Sequence, residues 1–286
     1  MTEALFYKKV ENLKVQCELC PHYCMIKEDQ TGICKTYKNI LGQLKNTRYG
    51  QIASIAMDPI EKKPLNHFYP HSYILSAGFY GCNLTCQFCQ NNTLSFGNSP
   101  AKVVNPEELV LMAKANHSIG IAFTYNEPFT MYEYIRDSFQ LFRMEKLKTV
   151  LVTNGYINKD PLLQILPLVD AMNIDLKSMR DSFYKKICGG SLNPVLDTIQ
   201  TSAPKCHIEI TYLVIPSEND TEEDFNQLTD FLFAINPEIP VHLSRYFPHY
   251  KFITPQTPIE TLKLGYSIVR QKMKYVYLGN IARGEL

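Results

Sequence analysis

Seven of the nine cysteines in this 286-residue chain fall before residue 90, in two tight groups. The denser group is Cys82, Cys86 and Cys89, spaced CxxxCxxC within Gly81-Cys82-Asn83-Leu84-Thr85-Cys86-Gln87-Phe88-Cys89-Gln90-Asn91, just after the apolar run Tyr73-Ile74-Leu75-Ser76-Ala77. A loop of that length can aim three thiolates at one small inorganic body, and thiolates are the ligands of iron–sulfur clusters. A cubane has about four irons, so three local thiolates leave one iron free to bind something other than protein. Structural zinc takes four protein ligands, and no fourth ligand stands near this trio, which disfavours a zinc knuckle.

The second group is Cys17, Cys20, Cys24 and Cys34, with Pro21 and Gly32 shaping the turns between them. Zinc and a second iron–sulfur cluster both accept four thiolates, and the spacing does not separate them. A metal there would stabilise a segment too short to bury a core of its own. The remaining two, Cys188 and Cys206, stand alone and read as buried, unreactive thiols.

Composition narrows the field. Lys+Arg number 29 against 28 Asp+Glu, a net charge of +1, so nothing draws the chain as a whole toward nucleic acid or an anionic membrane. A hydrophobic share of 45% supports a sizeable core. No apolar run reaches the ~18 residues of a membrane span, and the polar start with Lys8 and Lys9 does not read as a signal peptide. The expectation is a cytoplasmic protein whose cysteines ligate metal and do not form disulfides.

Around the cysteine loop the chain alternates apolar strand-like runs with amphipathic helical stretches. The strands expected are Ile74–Phe79, Ile119–Tyr125, Thr149–Thr153, Ala171–Ile174, Ile208–Val214, Val241–Ser244 and Tyr275–Leu278. Between them lie helices over Pro106–Asn116, Thr130–Arg143, Pro161–Ile165, Pro194–Thr201, Glu222–Phe233 and Pro258–Lys272, two of them opened by Asn105-Pro106-Glu107-Glu108 and Asp220-Thr221-Glu222-Glu223. Such alternation implies crossover units and a parallel sheet. The fold expected is therefore α/β: a partial (β/α)6 barrel of TIM type over residues 73–286, preceded by a cysteine-rich N-terminal lobe and lead-in over residues 1–72. The lead-in reads as a hairpin over 50–57 and then a proline-bracketed loop, Asp58-Pro59-Ile60-Glu61-Lys62-Lys63-Pro64-Leu65-Asn66-His67-Phe68. Function in such barrels sits where strands end. Every expected strand end carries polar or charged residues: Asn126-Glu127, Asn154, Asp175 with Lys177, Val214-Ile215 leading into Ser217–Asp220, and Arg245–Tyr250.

With those residues in place the chain resembles the radical SAM superfamily, in the group typified by the pyruvate formate-lyase activating enzyme. Within that group it resembles the AmmeMemoRadiSam family, which is associated with Memo-like and AMMECR-like partners. The motifs are CxLCPxxC…GxC at Cys17–Cys34, DPIEKKPLxHF at Asp58–Phe68, GCNLxCxFCQN at Gly81–Asn91, TYNEP at Thr124–Pro128, TNG at Thr153–Gly155, DLK at Asp175–Lys177, VIPxxND at Val214–Asp220 and HxSRYxPxY at His242–Tyr250. The resemblance implies that Cys82, Cys86 and Cys89 ligate a [4Fe-4S] cluster whose open iron chelates S-adenosylmethionine. It implies that Asn126 and Glu127 stand where the superfamily often has Gly-Gly-Glu, with Glu127 accepting from the methionine ammonium, and that Asn154 lies nearby in the TNG turn. Asp175 and Lys177 would serve the ribose hydroxyls and the methionine carboxylate, while Phe88, Val214 and Ile215 would offer apolar surface to the adenine. Ser217 replaces a glycine common in the family, which leaves the local turn open.

The function implied is reductive cleavage of S-adenosylmethionine and hydrogen abstraction from a peptide, protein or small molecule. The alternatives are a glycyl-radical-enzyme activase and a non-catalytic iron–sulfur protein. An electron donor of flavodoxin or ferredoxin type is the expected partner, with no nucleic acid and no membrane. Position alone puts Asp58, Glu61, Lys62, Lys63, His67, Arg245, Tyr246, His249 and Tyr250 forward as catalytic or substrate contacts, and makes the Cys17–Cys34 segment a lid over the barrel.

Overall fold

The computed structural model describes residues 1–97, 101–282 and 284–285. Its centre is an eight-stranded sheet in strictly sequential order. The strands are β1 (Ser54–Pro59), β2 (Tyr73–Gly78), β3 (Gly120–Phe123), β4 (Lys148–Thr153), β5 (Ala171–Asp175), β6 (His207–Val214), β7 (Val241–Arg245) and β8 (Val276–Gly279). Strands β2 to β8 run parallel, and β1 pairs antiparallel with β2. The curved sheet stays open between β1 and β8, a partial barrel and not a closed one.

The helices that carry the crossovers are α1 (Pro106–Ala115), α2 (Tyr132–Met144), α3 (Lys159–Ile165), α4 (Asn193–Ser202), α5 (Glu222–Ile235) and α6 (Ile259–Val269). The two opening signatures work as expected. Asn105 and Glu108 form a reciprocal capping box at α1, as do Thr221 and Asp224 at α5, each satisfying amides that the first helical turn leaves unpaired. Ser217 takes the left-handed conformation (φ 66°), so the turn a glycine would make is kept, with Asp220 Oδ1 accepting its N–H at 2.8 Å.

The lead-in departs from expectation. Residues 50–57 do not pair with each other. Gln51–Ile52 pairs with Lys102–Val103, while β1 joins the main sheet. The DPIEKKPLNHF loop then crosses the inside of the curved sheet and fills it. Ile60, Leu65 and Phe68 pack on Ile74, Ala122, Val150 and Ala171, making an apolar cluster separate from the one under the helices. A buried carboxylate holds this plug. Glu209 on β6 accepts from the backbone N–H groups of Asn66 (3.0 Å) and His67 (2.7 Å) and bonds the rings of His207 (2.9 Å) and His242 (2.6 Å). Asn173 on β5 adds a bond to Pro64 O at 2.8 Å. His67 reaches Tyr277 on β8, so the loop bridges the two open edges of the sheet.

Burial opposes the charge on Glu209, yet the bonds from His207, His242 and the His67 amide hold its carboxyl at about 2, below the ordinary 4.5. A carboxyl depressed in the folded state contributes stability above its unfolded pKa and loses it as pH falls toward the folded one. Stability should therefore drop between pH 4.5 and about 2. Glu209→Ala, which orphans several buried donors at once, should cost roughly 3–5 kcal/mol and flatten that acid limb. Denaturant titrations across pH measure both, and an unchanged midpoint would show that the plug holds without Glu209.

Candidate active site

The loop between β2 and residue 92 carries the three cysteines into the upper end of the sheet's inner face. Cys82, Cys86 and Cys89 line one cavity of about 340 Å³, together with residues from the ends of β3 to β7. Two side chains splice that loop to the next strands. Asn126 Oδ1 accepts from Phe79 N at 2.9 Å, and its Nδ2 donates to Gly81 O at 2.7 Å, fixing the backbone just before Cys82. Asn154 Nδ2 lies 3.7 Å from Cys82 Sγ and 2.9 Å from Asn83 Oδ1. The Leu84 N–H also faces Cys82 Sγ, at 3.4 Å.

Glu127 sits on the cavity wall, 2% exposed, and ties the end of β3 to the end of β4. Its carboxylate accepts from Phe129 N (3.0 Å), Thr153 Oγ1 (2.8 Å) and Asn154 N (2.8 Å). Burial outweighs these bonds and pushes the carboxyl up to about 7. One lone pair on Oε2 remains for a further donor, since a carboxylate offers about four acceptor sites. Opposite it, Lys177 Nζ lies 3.0 Å from Asp175 Oδ2 and 5.9 Å from the centre of the Phe88 ring. Burial disfavours the Lys177 charge, but Asp175 and the Cys86 and Cys188 sulfurs outweigh it and hold the amine protonated. One wall therefore offers a carboxylate with spare capacity, and the other an ammonium–carboxylate pair beside an aromatic ring. That is a fitting surround for a ligand carrying both an amino and a carboxylate group.

Phe88, Asn126, Glu127, Asn154, Asp175 and Lys177 all line this cavity. Val214 and Ile215 do not: both are fully buried elsewhere, and the wall of β6 is Thr211 and Leu213. Strand side chains alternate faces, so reading one residue too far along β6 selects the wrong face. The expected lid is corrected as well, because none of the lining residues comes from the first 61 positions. The N-terminal lobe instead flanks the cysteine loop, where Leu5 N, Tyr37 Oη and Asn46 Nδ2 all bond the buried Glu133 of α2.

The residues chosen by position divide. Lys62, Lys63 and Pro64 reach the cavity. Asp58 is buried behind them, bonded by Lys63 Nζ (2.7 Å) and Tyr125 Oη (2.6 Å), with Lys62 3.5 Å away. Burial opposes its charge, but Lys63 and Tyr125 bring the Asp58 carboxyl down to about 2. Glu61 accepts from His71 N at 2.6 Å on the outer side, and His67 belongs to the plug. Arg245 lines an adjoining cavity with Phe247, where it donates to Thr257 O and to Glu285. His249 is exposed, Tyr246 is buried with its hydroxyl on Phe252 O, and Tyr250 stacks on Phe96. Cys188 is fully buried, and its backbone carbonyl accepts from Thr85 N at 2.7 Å, so its segment touches the cysteine loop from behind.

Sequence reasoning passed over Tyr125, Thr211, Leu213 and Asn280 on the cavity wall. The alternation of β6 could have found the middle two. Tyr125 gives no such signal: it adopts a left-handed φ of 74°, and packs where a Cβ on Gly78 would come within 2.8 Å of its ring.

Asn154 supports a cysteine from outside the trio, and such partners are typically worth about 10–100-fold in metal affinity. Asn154→Ala should lose reconstituted iron to a chelator faster than the parent by about that factor, with an unchanged circular dichroism spectrum. Equal iron retention would remove Asn154 from any supporting role.

Comparison with known proteins agrees with this geometry. A protein of Methanocaldococcus jannaschii described as uncharacterised is 42% identical over 98% of this chain and 86% of its own. The pyruvate formate-lyase 1-activating enzyme of Escherichia coli is 27% identical over 54% of this chain and 65% of its own, so the chain spans just under two-thirds of that enzyme. Among solved structures, a radical SAM methyltransferase from Sphaerobacter thermophilus superposes with a TM-score of 0.58 at 16% identity, covering 76% of this chain and 68% of that one. A domain of a pyruvate-formate lyase-activating enzyme from Bacteroides vulgatus gives 0.50 at 21% identity, covering 56% of this chain and 99% of that domain. These two likenesses bear on the fold alone. The family model for the radical SAM superfamily matches residues 78–232, from the last residue of β2 through most of α5. That stretch takes in the cysteine loop and the ends of β3 to β6, and the chain belongs to the radical SAM superfamily.

Proposed function

We propose that this chain is a radical SAM enzyme that acts on a peptide, a protein residue or a small molecule. The observation that carries the reading is the single cavity joining three cysteines, Glu127 and the Asp175–Lys177 pair. When bound there, a [4Fe-4S] cluster and S-adenosylmethionine supply one-electron cleavage of the C5′–S bond and a 5′-deoxyadenosyl radical that removes a hydrogen atom from substrate. Cys82, Cys86 and Cys89 would hold the cluster. Glu127 Oε2 would accept from the methionine ammonium, and Lys177 would face its carboxylate, each a charge-assisted bond in a partly dry site. Phe88 and Leu213 would supply the apolar surface, with Asn126 and Asn154 keeping the cysteine loop in place.

Lys62, Lys63 and Arg245 are the contacts proposed for substrate. Asp58 positions Lys63 and Tyr125 at the cavity edge, and no role at the reacting atoms is proposed for Glu61 or His249. Lys62, Lys63 and Pro64 of the plug loop form part of the cavity wall, and chemistry with a reactive intermediate gains from such cover. Residues 1–72 are proposed as the lobe and lead-in and 73–286 as the barrel, with β1 the part of the lead-in that joins the barrel sheet.

The activating-enzyme relative favours a second reading, a glycyl-radical-enzyme activase within the same superfamily. An electron donor of flavodoxin or ferredoxin type belongs to either reading. A Memo-like or AMMECR-like partner belongs to the first, through the proposed AmmeMemoRadiSam membership. Among the described residues no helix is long and apolar enough to cross a membrane, and a cytoplasmic site of action is proposed.

The deciding experiment is anaerobic reconstitution, reduction with S-adenosylmethionine, and chromatography for 5′-deoxyadenosine. Its formation supports an enzyme, and its absence from a protein with full iron content would leave only an iron–sulfur binding protein. A glycine-centred EPR signal on mixing with a partner protein would favour the activase. Lys177→Ala should weaken S-adenosylmethionine binding about 10–100-fold, the equivalent of one lost charged hydrogen bond. Equilibrium dialysis measures it, and parental affinity in that variant would place the methionine carboxylate elsewhere.

A further inference from the structure

A second cavity, of about 550 Å³, adjoins the one that holds the three cysteines. Gln90, the residue after Cys89, and Asn280 line both, so the two spaces meet beside the cysteine loop. Neighbouring residues at the end of β7 divide them. Ser244 faces the first cavity and Arg245 the second, as alternation along a strand requires. Among the described residues Arg245 is the only lysine or arginine lining the second cavity, and it is 5% exposed. Its Nε donates to Thr257 O at 2.9 Å, Asn280 Nδ2 donates to its carbonyl at 3.1 Å, and its guanidinium carbon lies 5.1 Å from the centre of the Phe247 ring.

A cation buried this far needs an anionic partner, because an unpaired charge inside a protein is costly. The partner is Glu285, carried by the segment that follows β8. It engages half of what Arg245 offers. Both carboxylate oxygens lie 3.0 Å from Nη1, and among the described residues Nη2 makes no bond. A guanidinium meets a carboxylate best as a fork, with two nitrogens each donating to one oxygen. Glu285 cannot centre itself on that fork while Ala282 N–H holds its Oε2 at 2.9 Å. Its side chain is 40% exposed and leaves the cavity open beside it.

We propose that this cavity is a substrate subsite for an acidic peptide, in which Arg245 binds a glutamate or aspartate side chain and Glu285 is an internal occupant that the substrate displaces. The occupant identifies the class. A glutamate side chain presented by a turn of peptide already reaches Arg245, and a free chain bearing the same group can take the whole fork. Gln90 and Gln256 offer amides for the peptide backbone, and Phe247, 38% exposed, offers an apolar face. A peptide anchored at Arg245 and continuing past Gln90 and Asn280 enters the cavity of Cys82, Cys86 and Cys89.

This inference deepens the proposed function and rests on it in reading the first cavity as the place of reaction. The test uses the reconstituted full chain and two labelled peptides, acetyl-Ala-Ala-Glu-Ala-Ala-amide and its glutamine counterpart, with affinity measured by equilibrium dialysis. Glu285→Gln, a change at a half-exposed side chain, should tighten the glutamate peptide about 10–100-fold, the equivalent of one charged hydrogen bond released for the ligand. The glutamine peptide should gain nothing, and Arg245→Gln should bring the glutamate peptide down to the level of the glutamine one. Unchanged affinity in Glu285→Gln, or equal affinity for the two peptides in that variant, overturns the proposal. Should Arg245→Gln fail to fold, the Glu285→Gln comparison decides alone. Glutarate that tightens in Glu285→Gln while the glutamate peptide does not would assign the subsite to a free dicarboxylate and overturn the peptide reading. Failure of peptide binding in a chain that still forms 5′-deoxyadenosine leaves the proposed function standing. Tightened peptide binding without any 5′-deoxyadenosine would sink that function and leave Arg245 as a peptide-binding residue.

Discussion

The hold of Glu209 on the 60–68 loop is the constraint on which the molecule depends. A curved parallel sheet open at one side has an inner face that must be filled, because strands presenting apolar side chains to a void forgo both burial and dispersion contacts. Helices cover only the outside. Here the filling arrives as a loop, whose backbone amides must find acceptors once it leaves water. Glu209 and Asn173 supply them, and Ile60, Leu65 and Phe68 supply the apolar volume. The cavity above has a floor because this loop is there.

On that floor the strand ends are joined to one another by side chains more than by loops. Asn126 links the ends of β2 and β3, and Glu127 links β3 to β4. Glu127 bears the cost of its burial in a raised carboxyl, which three donors reduce without abolishing. A cationic ligand placed next to it would remove the remaining penalty, since a nearby opposite charge favours the ionised carboxylate. The Asp175–Lys177 pair is balanced differently: each charge already has its partner, so the pair orients a ligand without needing one.

The N-terminal lobe is attached through polar anchors on Glu133 and through the contact between its own cysteine segment and the Cys82 loop. It is a neighbour of the active cavity, not its cover. Its small strands, Val15–Cys17 among them, carry little core of their own, in keeping with a segment organised around its cysteines.

The spacing of residues determined much by itself. The CxxxCxxC loop, the alternation of apolar runs with capped helices, and the polar strand ends are local features, and local features survive translation into three dimensions. Hence the parallel strands and the six crossover helices stand where the sequence put them, and Phe88, Asn126, Glu127, Asn154, Asp175 and Lys177 line one cavity with the three cysteines. What only the tertiary structure decided concerns direction and long-range pairing. Val214 and Leu213 differ by one position in sequence and by a whole face in the sheet. The 58–68 motif reads as a reactive loop, yet its partner Glu209 lies more than a hundred residues away, and that distant carboxylate makes most of it a plug. No periodicity in a chain encodes which far residue will accept a buried amide; closure of the fold settles it, because unpaired groups inside are too costly to leave.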